Sequence, residues 1–524
     1  MAVSDFLAQF GFRADPFESW DAEQEPELDD YFVPPPFFDA VIGDSATPAS
    51  HVVLAPRGGG KTAQRKMIEL ASKNRNFLCI TYDEFDDVPR LAAATWGYHV
   101  NQICRRVLLG ILVALEADPA RVEQLSEHQK RVLKFQIERF LGSLSAAQHE
   151  LAVKSLKNFG DKTRDFFAKY GGPIQVVIQA LMSKLGLDGV SMPTDVPEEA
   201  KLDESLRYHY AHLLKIARAV GFESTYVLVD RVDELPITAT APKTFEFVSP
   251  LLLDLRTLEA DGVAIKFFLW DQIESELDEA GFRRDRVSVN AIHWTLDELC
   301  RMLSRRLAAY SGGAVSSFND LLCEEVSLDV HTLLAHIGAG SPRDMIRCAK
   351  RIISAETRAG TSSSCTREES VWSGVRLFCD ERAGELVRPE YLAELKKVAR
   401  PTFTTSEVGS EIFRISTEGA RQKIQAWART GVVAKVDELP NRRDRPTHLY
   451  GVIDLRVAIA ALPAIEIALI AANLVLECPA CQSLTVNDRQ EISCPSCQSR
   501  FALGDARSLY DVVSTPRPEQ AASG

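Results

Sequence analysis

The sequence predicts an α/β fold in which a parallel sheet covered by helices carries a helical insertion and is followed by helical and small β-containing modules. Three observations carry this expectation. The apolar run His51–Ala55 leads through a glycine-rich turn into a helical pattern over residues 63–70. Two further apolar runs, residues 225–229 and Val263–Trp270, each give way to an acidic residue, as buried strands do when they deliver side chains to one edge of a parallel sheet. At 524 residues the chain exceeds what a single core usually serves, so two or three folding units are expected.

Composition narrows the function classes. The chain is 46% hydrophobic and 25% charged, an ordinary globular balance, and its net charge of −13 excludes coating nucleic acid by bulk electrostatics. Any DNA contact must come from a local basic surface. Residues 1–5 lack the basic start of a signal peptide, which predicts a cytoplasmic protein. Seven of the eleven cysteines are scattered singly and four form two tight pairs, a pattern of a reducing compartment with a metal site.

The first strand enters the turn Ala55-Pro56-Arg57-Gly58-Gly59-Gly60-Lys61-Thr62-Ala63. Glycines let the backbone curl so that its N–H groups converge on phosphate oxygens, and the following helix start adds partial positive charge. Lys61 would reach the β- and γ-phosphates of ATP, and Thr62 would place its hydroxyl on Mg²⁺. Ala55 stands where the first glycine of such a P-loop usually sits, a position where alanine can often adopt the required geometry. The partner strand ends at Asp230, the acidic residue expected to complete the magnesium site.

The run Leu228-Val229-Asp230-Arg231-Val232-Asp233-Glu234-Leu235 resembles the hydrophobic-Asp-Glu-hydrophobic-Asp-x-Leu stretch of AAA+ ATPases, and within them the origin-recognition, replication-initiator branch. The resemblance covers residues 50–355 and, with a winged helix, extends to about 456. It implies an ATPase whose water-polarising glutamate position is taken here by Arg231, which cannot act as a base. Hydrolysis would then be slow or fall to Asp233 or Glu234. STAND and KAP-type NTPases, which carry acidic residues at that offset, are the second family. The resemblance also implies a polar sensor at Asp271 or Gln272, an arginine finger at Arg284 or Arg286 and a sensor arginine at Arg343. An exposed basic turn fits residues 282–287 nearly as well, and a capped helix with a surface arginine is the other reading of Gly340-Ser341-Pro342-Arg343-Asp344.

The remaining elements follow in order. Residues 1–50 lead into a core over 51–294, and residues 96–220 carry long helical patterns at 100–112, 130–144 and 174–185, expected to form an inserted subdomain, with a loop at 186–203. A helical lid is expected at 295–357 and a flexible joint at 360–364. Residues 366–456 read as a winged helix with a leading helix, whose third helix turns Arg421, Gln422, Lys423 and Gln425 toward a groove and whose wing carries Arg442, Arg443 and Arg445. Residues 391–450 hold eleven Lys and Arg against seven Asp and Glu, a local +4 compatible with DNA; winged helices also bind proteins.

Residues 457–476 are almost wholly apolar, but Pro463, Glu466 and Asn473 favour a buried helix over a membrane span. Cys478-Pro-Ala-Cys481 and Cys494-Pro-Ser-Cys497, twelve residues apart, offer zinc a four-sulfur tetrahedral shell with no open position, a structural zinc ribbon at 477–503. A disordered tail is expected at 504–524. The expected whole is an α/β P-loop NTPase core with an α-helical lid, a winged-helix domain and a zinc ribbon, coupling ATP to DNA and open to homo-oligomers. The alternative is a regulatory NTPase scaffolding a protein effector, as in bacterial defence.

Overall fold

The computed structural model describes residues 2–86, 88, 90–141, 182–183, 186, 202–359, 364–439 and 446–514. The helical pattern expected at 174–185 and the loop at 186–203 lie almost wholly outside these residues. So do the joint at 360–364 except for Ser364, the wing arginines Arg442, Arg443 and Arg445, and residues 515–524. The chain divides into two compact units, Pro34–His293 and Met1–Val33 with Trp294–Gly524.

The unit Pro34–His293 is built on five parallel strands: β1 (His51–Ala55), β2 (Phe77–Tyr82), β3 (Ser224–Val229), β4 (Val263–Trp270) and β5 (Ser288–Ala291). Their order is β2–β3–β4–β1–β5. β1, β2 and β3 are buried throughout, as continuous apolar runs covered on both faces should be. Lys266 on β4 is the exception within this pattern; it donates to the Ala49 carbonyl at 2.5 Å, and burial pulls its pKa down to about 7.

The helices are α1 (Lys61–Ala71), α2 (Trp96–Ala117), α3 (Glu127–Leu141), α4 (Leu202–Ala219) and α5 (Ala241–Leu252). Residues 96–220 were expected to form an inserted subdomain. Instead Ile103 and Leu108 of α2, Ile137 of α3 and Leu213 of α4 lie in one buried cluster with Val227 and Ile265 of the sheet. The described residues of these helices thus turn their apolar stripes onto the sheet.

In the other unit, α6 (Leu296–Ser311), α7 (Val330–Gly338), α8 (Pro342–Arg358) and α9 (Glu368–Leu386) form a helical bundle. The N-terminal segment does not simply lead into the sheet, since residues up to Val33 belong with this bundle. The buried Arg306 guanidinium of α6 holds them. It donates to the carbonyls of Pro16 and Ser19 and to the Tyr31 hydroxyl, and pairs with Glu25 at 2.7 Å. Cys323 and Cys365 form a disulfide beside the Leu322–Thr366 bridge, contrary to the expectation that all seven scattered cysteines stand alone.

Next come α10 (Pro389–Val398), β6 (Thr402–Thr404), a π-helical turn (Glu407–Phe413), α11 (Thr417–Ala428), β7 (Val433–Leu439) and β8 (Thr447–Val452). The three strands form an antiparallel sheet in the order β6–β8–β7. The expected single apolar helix over 457–476 is two helices, α12 (Leu455–Ala461) and α13 (Ile467–Asn473). Pro463 stands between them, where its ring and missing N–H end the helix. Among the described residues no helix is long and apolar enough to cross a membrane.

Strands β9 (Val475–Glu477) and β10 (Leu484–Val486) flank the first cysteine pair, and β11 (Glu491–Ser493) and β12 (Arg500–Ala502) the second. Residues 507–514, expected within a disordered tail, are structured. Arg507–Ser508 adds a strand, β13, beside β9, and α14 (Leu509–Ser514) buries Leu509, Val512 and Val513.

Candidate functional site

β1 lies between β4 and the edge strand β5, and its C-terminal end opens at the same end of the sheet as those of β3 and β4. There Gly58 and Gly60 take the left-handed conformation, at φ +82° and +97°, ahead of α1. A Cβ on Gly59 would lie 3.0 Å from the Pro56 carbonyl oxygen, tighter than an ordinary contact, so a side chain there would require the loop to shift. Ala55 does not take positive φ; it ends a strand, which explains why alanine serves where a glycine was expected. Lys61 is buried, and its Nζ donates to the carbonyls of Ala55 at 2.9 Å and Pro56 at 3.2 Å. Left-handed glycines before a helix N-terminus are a donor set suited to phosphate oxygens, and the bare cradle at Gly59 fits that use.

Asp230, directly after β3, is buried. Its Oδ2 accepts from the Thr62 hydroxyl at 3.0 Å and from Arg65 Nε at 2.9 Å, and its Oδ1 from the Arg231 amide at 2.9 Å. The expected pair for a magnesium ion, Thr62 and Asp230, is thus in contact, with hard oxygen donors of the kind the ion takes. Arg65 was not foreseen. It is fully buried, pairs with Glu69 and lies 4.0 Å from Asp83. Burial opposes its charge, but Glu69, Asp230 and Asp83 outweigh burial and raise its pKa. Its four-residue spacing from Lys61 and from Glu69 was the one signal available in the sequence.

Neither carboxylate expected to replace the missing glutamate is free. Asp233 accepts Arg57 Nε at 2.9 Å, and its carbonyl accepts Arg57 Nη2 at 2.8 Å. The same guanidinium lies 4.6 Å above the Trp270 ring. Glu234 pairs with Arg231 at 2.7 Å, and Arg231 itself takes a left-handed φ of +61°. Asp271 follows β4, and one of its carboxylate oxygens is buried without a hydrogen-bond partner among the described residues. Burial raises its pKa, against the pull of the Lys61 ammonium.

The arginine-rich turn is engaged locally. Arg284 pairs with Glu274 and Asp278, and Arg286 with Glu259 at 2.6 Å, all on exposed surface. Arg343 stands in the first turn of α8, which Ser341 caps, in the unit that does not contain the P-loop.

The four cysteines come together. Their sulfurs lie within 4.8 Å of one another, with Cys478 to Cys497 at 3.8 Å and Cys481 to Cys494 at 3.6 Å. Tetrahedral zinc with Zn–S near ~2.3 Å requires sulfur separations of about 3.8 Å, so the cluster fits a structural zinc. The two knuckles repeat each other. Cys478 N donates to Ser483 O at 3.0 Å and Cys494 N to Ser499 O at 2.9 Å, while Gln482 and Gln498 both take left-handed φ. The ribbon is braced by Arg500 to Asp437 of β7 at 2.9 Å and by Arg489 to Glu407 of the π-helical turn at 3.2 Å.

On α11, Ala420, Ile424 and Trp427 are buried, and Arg421, Gln422 and Gln425 are exposed. Lys423 is not available as expected, because it pairs with Glu394, which also accepts from Trp427 Nε1 at 2.8 Å.

No family model and no curated protein matches the chain. Among solved structures, it is similar to the Orc1 protein of Aeropyrum pernix in complex with DNA, at 12% identity and a TM-score of 0.39, covering 86% of this chain and 98% of that one. It is also similar to the Aeropyrum pernix Orc2 protein in its ADPNP–ADP complexes, at 11% identity and a TM-score of 0.35 over 84% and 97% of the two chains. The ADP form of that protein gives 10% identity and a TM-score of 0.31 over 84% and 98%.

Proposed function

We propose that the chain is an AAA+ type ATPase that binds ATP with Mg²⁺ at residues 55–63 and couples its nucleotide state to DNA binding by a winged helix over residues 389–453, braced by a zinc ribbon. The observation that carries this is the meeting of the glycine loop, the buried Lys61 and the Thr62–Asp230 contact at one sheet edge. Lys61 would neutralise phosphate charge, Thr62 and Asp230 would hold Mg²⁺, and Arg343 would answer the γ-phosphate. Arg284 or Arg286 would serve a neighbouring subunit in an oligomer. DNA would meet Arg421, Gln422 and Gln425 together with Arg442, Arg443 and Arg445.

ATP binding and turnover of the zinc-loaded protein, with and without duplex DNA, test this against Lys61→Ala. The variant is expected to lose ATP binding at least tenfold, and DNA to raise wild-type turnover. ATP affinity unchanged by Lys61→Ala would overturn the nucleotide site. The net charge of −13 favours a second reading, a regulatory NTPase whose winged helix docks a protein effector. Absence of salt-dependent DNA binding would select it.

A further inference from the structure

With Arg231 in the usual base position, some other group must take the proton from the attacking water. Asp233 is held through both its carboxylate and its carbonyl by Arg57, and Glu234 by Arg231. Using either as a base would first require breaking an ion pair. Asp271 faces no such obstacle. β4 pairs with β1 in register, Ala55 beside Trp270, so Asp271 emerges level with Pro56, the first residue of the loop. Lys61 Nζ rests on the carbonyls of Ala55 and Pro56, at that same level. β3 pairs with β4 through Val229 and Phe267, which sets Asp230 level with Phe268 on the neighbouring strand. Asp271 Oδ1 is buried and accepts no hydrogen bond among the described residues. A buried acceptor left open is costly in a folded protein and points to a partner that arrives with substrate.

We propose that Asp271 is the catalytic base of this chain, accepting a proton from the water that attacks the γ-phosphate. The water oxygen bonds to the γ-phosphorus, and the bond from that phosphorus to the bridging oxygen breaks. The electron pair leaves with ADP, and one water proton passes to Asp271 Oδ1, from which it is released to solvent. The tethering of Asp233 and Glu234 then keeps the Arg57 and Arg231 loops in place and is not part of the chemistry.

The proposal rests on the ATP reading above, and its test separates the two. ATP affinity and single-turnover hydrolysis are measured for wild type, Asp271→Asn and Glu234→Gln. Asp271→Asn keeps the shape and removes the base, so ATP affinity is expected to stay within about threefold while hydrolysis falls at least ~30-fold, in the range of a lost general base. Glu234→Gln is expected to retain turnover within about fivefold. A smaller fall in Asp271→Asn, an equal fall in Glu234→Gln, or tight ATP binding without wild-type turnover overturns the assignment and leaves ATP binding standing. Absence of ATP binding in wild type overturns the proposed function as well.

Discussion

Arg65 stands one helical turn beyond Lys61, fully buried among Glu69, Asp83 and Asp230. It shares the Asp230 oxygen that also accepts from Thr62, so it fixes where that carboxylate points. Removing one member of a buried charge network leaves the others desolvated and unpaired, at a cost of about 3–5 kcal/mol. Arg65→Met should therefore lower unfolding stability by about 3 kcal/mol in urea titrations, and Arg65→Lys should recover less than half, because an ammonium lacks the planar fork. A loss below about 1 kcal/mol for Arg65→Met would show that the network carries no such load. Lys61, Thr62 and Asp230 were legible in the sequence because their spacing within a strand–loop–helix or at a strand end is local. Arg65 was not legible, and Asp271 was so only as one of two candidate sensors, since their environments depend on which strands lie side by side. Asp230 reaches Arg65 from 165 residues away, and only the β1–β4 register brings Asp271 to Pro56.

At the scale of elements, the ribbon is the clearest case of a fold too small to hold itself. The four strands flanking its cysteine turns are three residues each, and its buried cluster is Leu476, Cys478, Ile492, Cys494 and Phe501. So little apolar surface cannot offset the entropy of ordering the hairpins, and a bound zinc would supply the difference. One zinc per chain is expected by elemental analysis. Chelation, or Cys494→Ser, should raise hydrogen exchange through residues 475–502 and release the Arg500–Asp437 contact on β7. Unchanged protection after complete zinc removal would mean that the brace alone holds the ribbon. The cysteine spacing made this element readable, and the glutamine after each knuckle takes the same left-handed backbone in both. The long apolar stretch before it misled, because hydrophobicity reports burial and not continuity, and Pro463 divides α12 from α13.

Across the whole molecule, the proposed function would need a nucleotide signal to pass from α8, which carries Arg343, to the elements proposed to meet DNA, and the next residue supplies a physical link. Asp344 is buried and accepts Arg382 Nε from α9 at 2.9 Å and Arg456 Nη1 from α12 at 2.6 Å. Arg456 also pairs at 2.6 Å with Asp454, two residues beyond the end of β8. A shift of α8 on engaging a γ-phosphate would thus pull on α9 and on the helix that leaves the three-stranded sheet. Coupling of this kind needs a contiguous element that both sites bias. Asp344→Asn removes the charge and keeps the shape. The expected outcome is ATP turnover without DNA within about twofold of wild type, and stimulation by DNA reduced at least fivefold, as loss of a coupling of about 1 kcal/mol would give. Thermal unfolding of the same variant separates uncoupling from collapse of the bundle. If stimulation persists at full strength in a folded Asp344→Asn protein, the signal does not pass through this carboxylate, and the coupling must run through contacts other than the α8–α9–α12 junction.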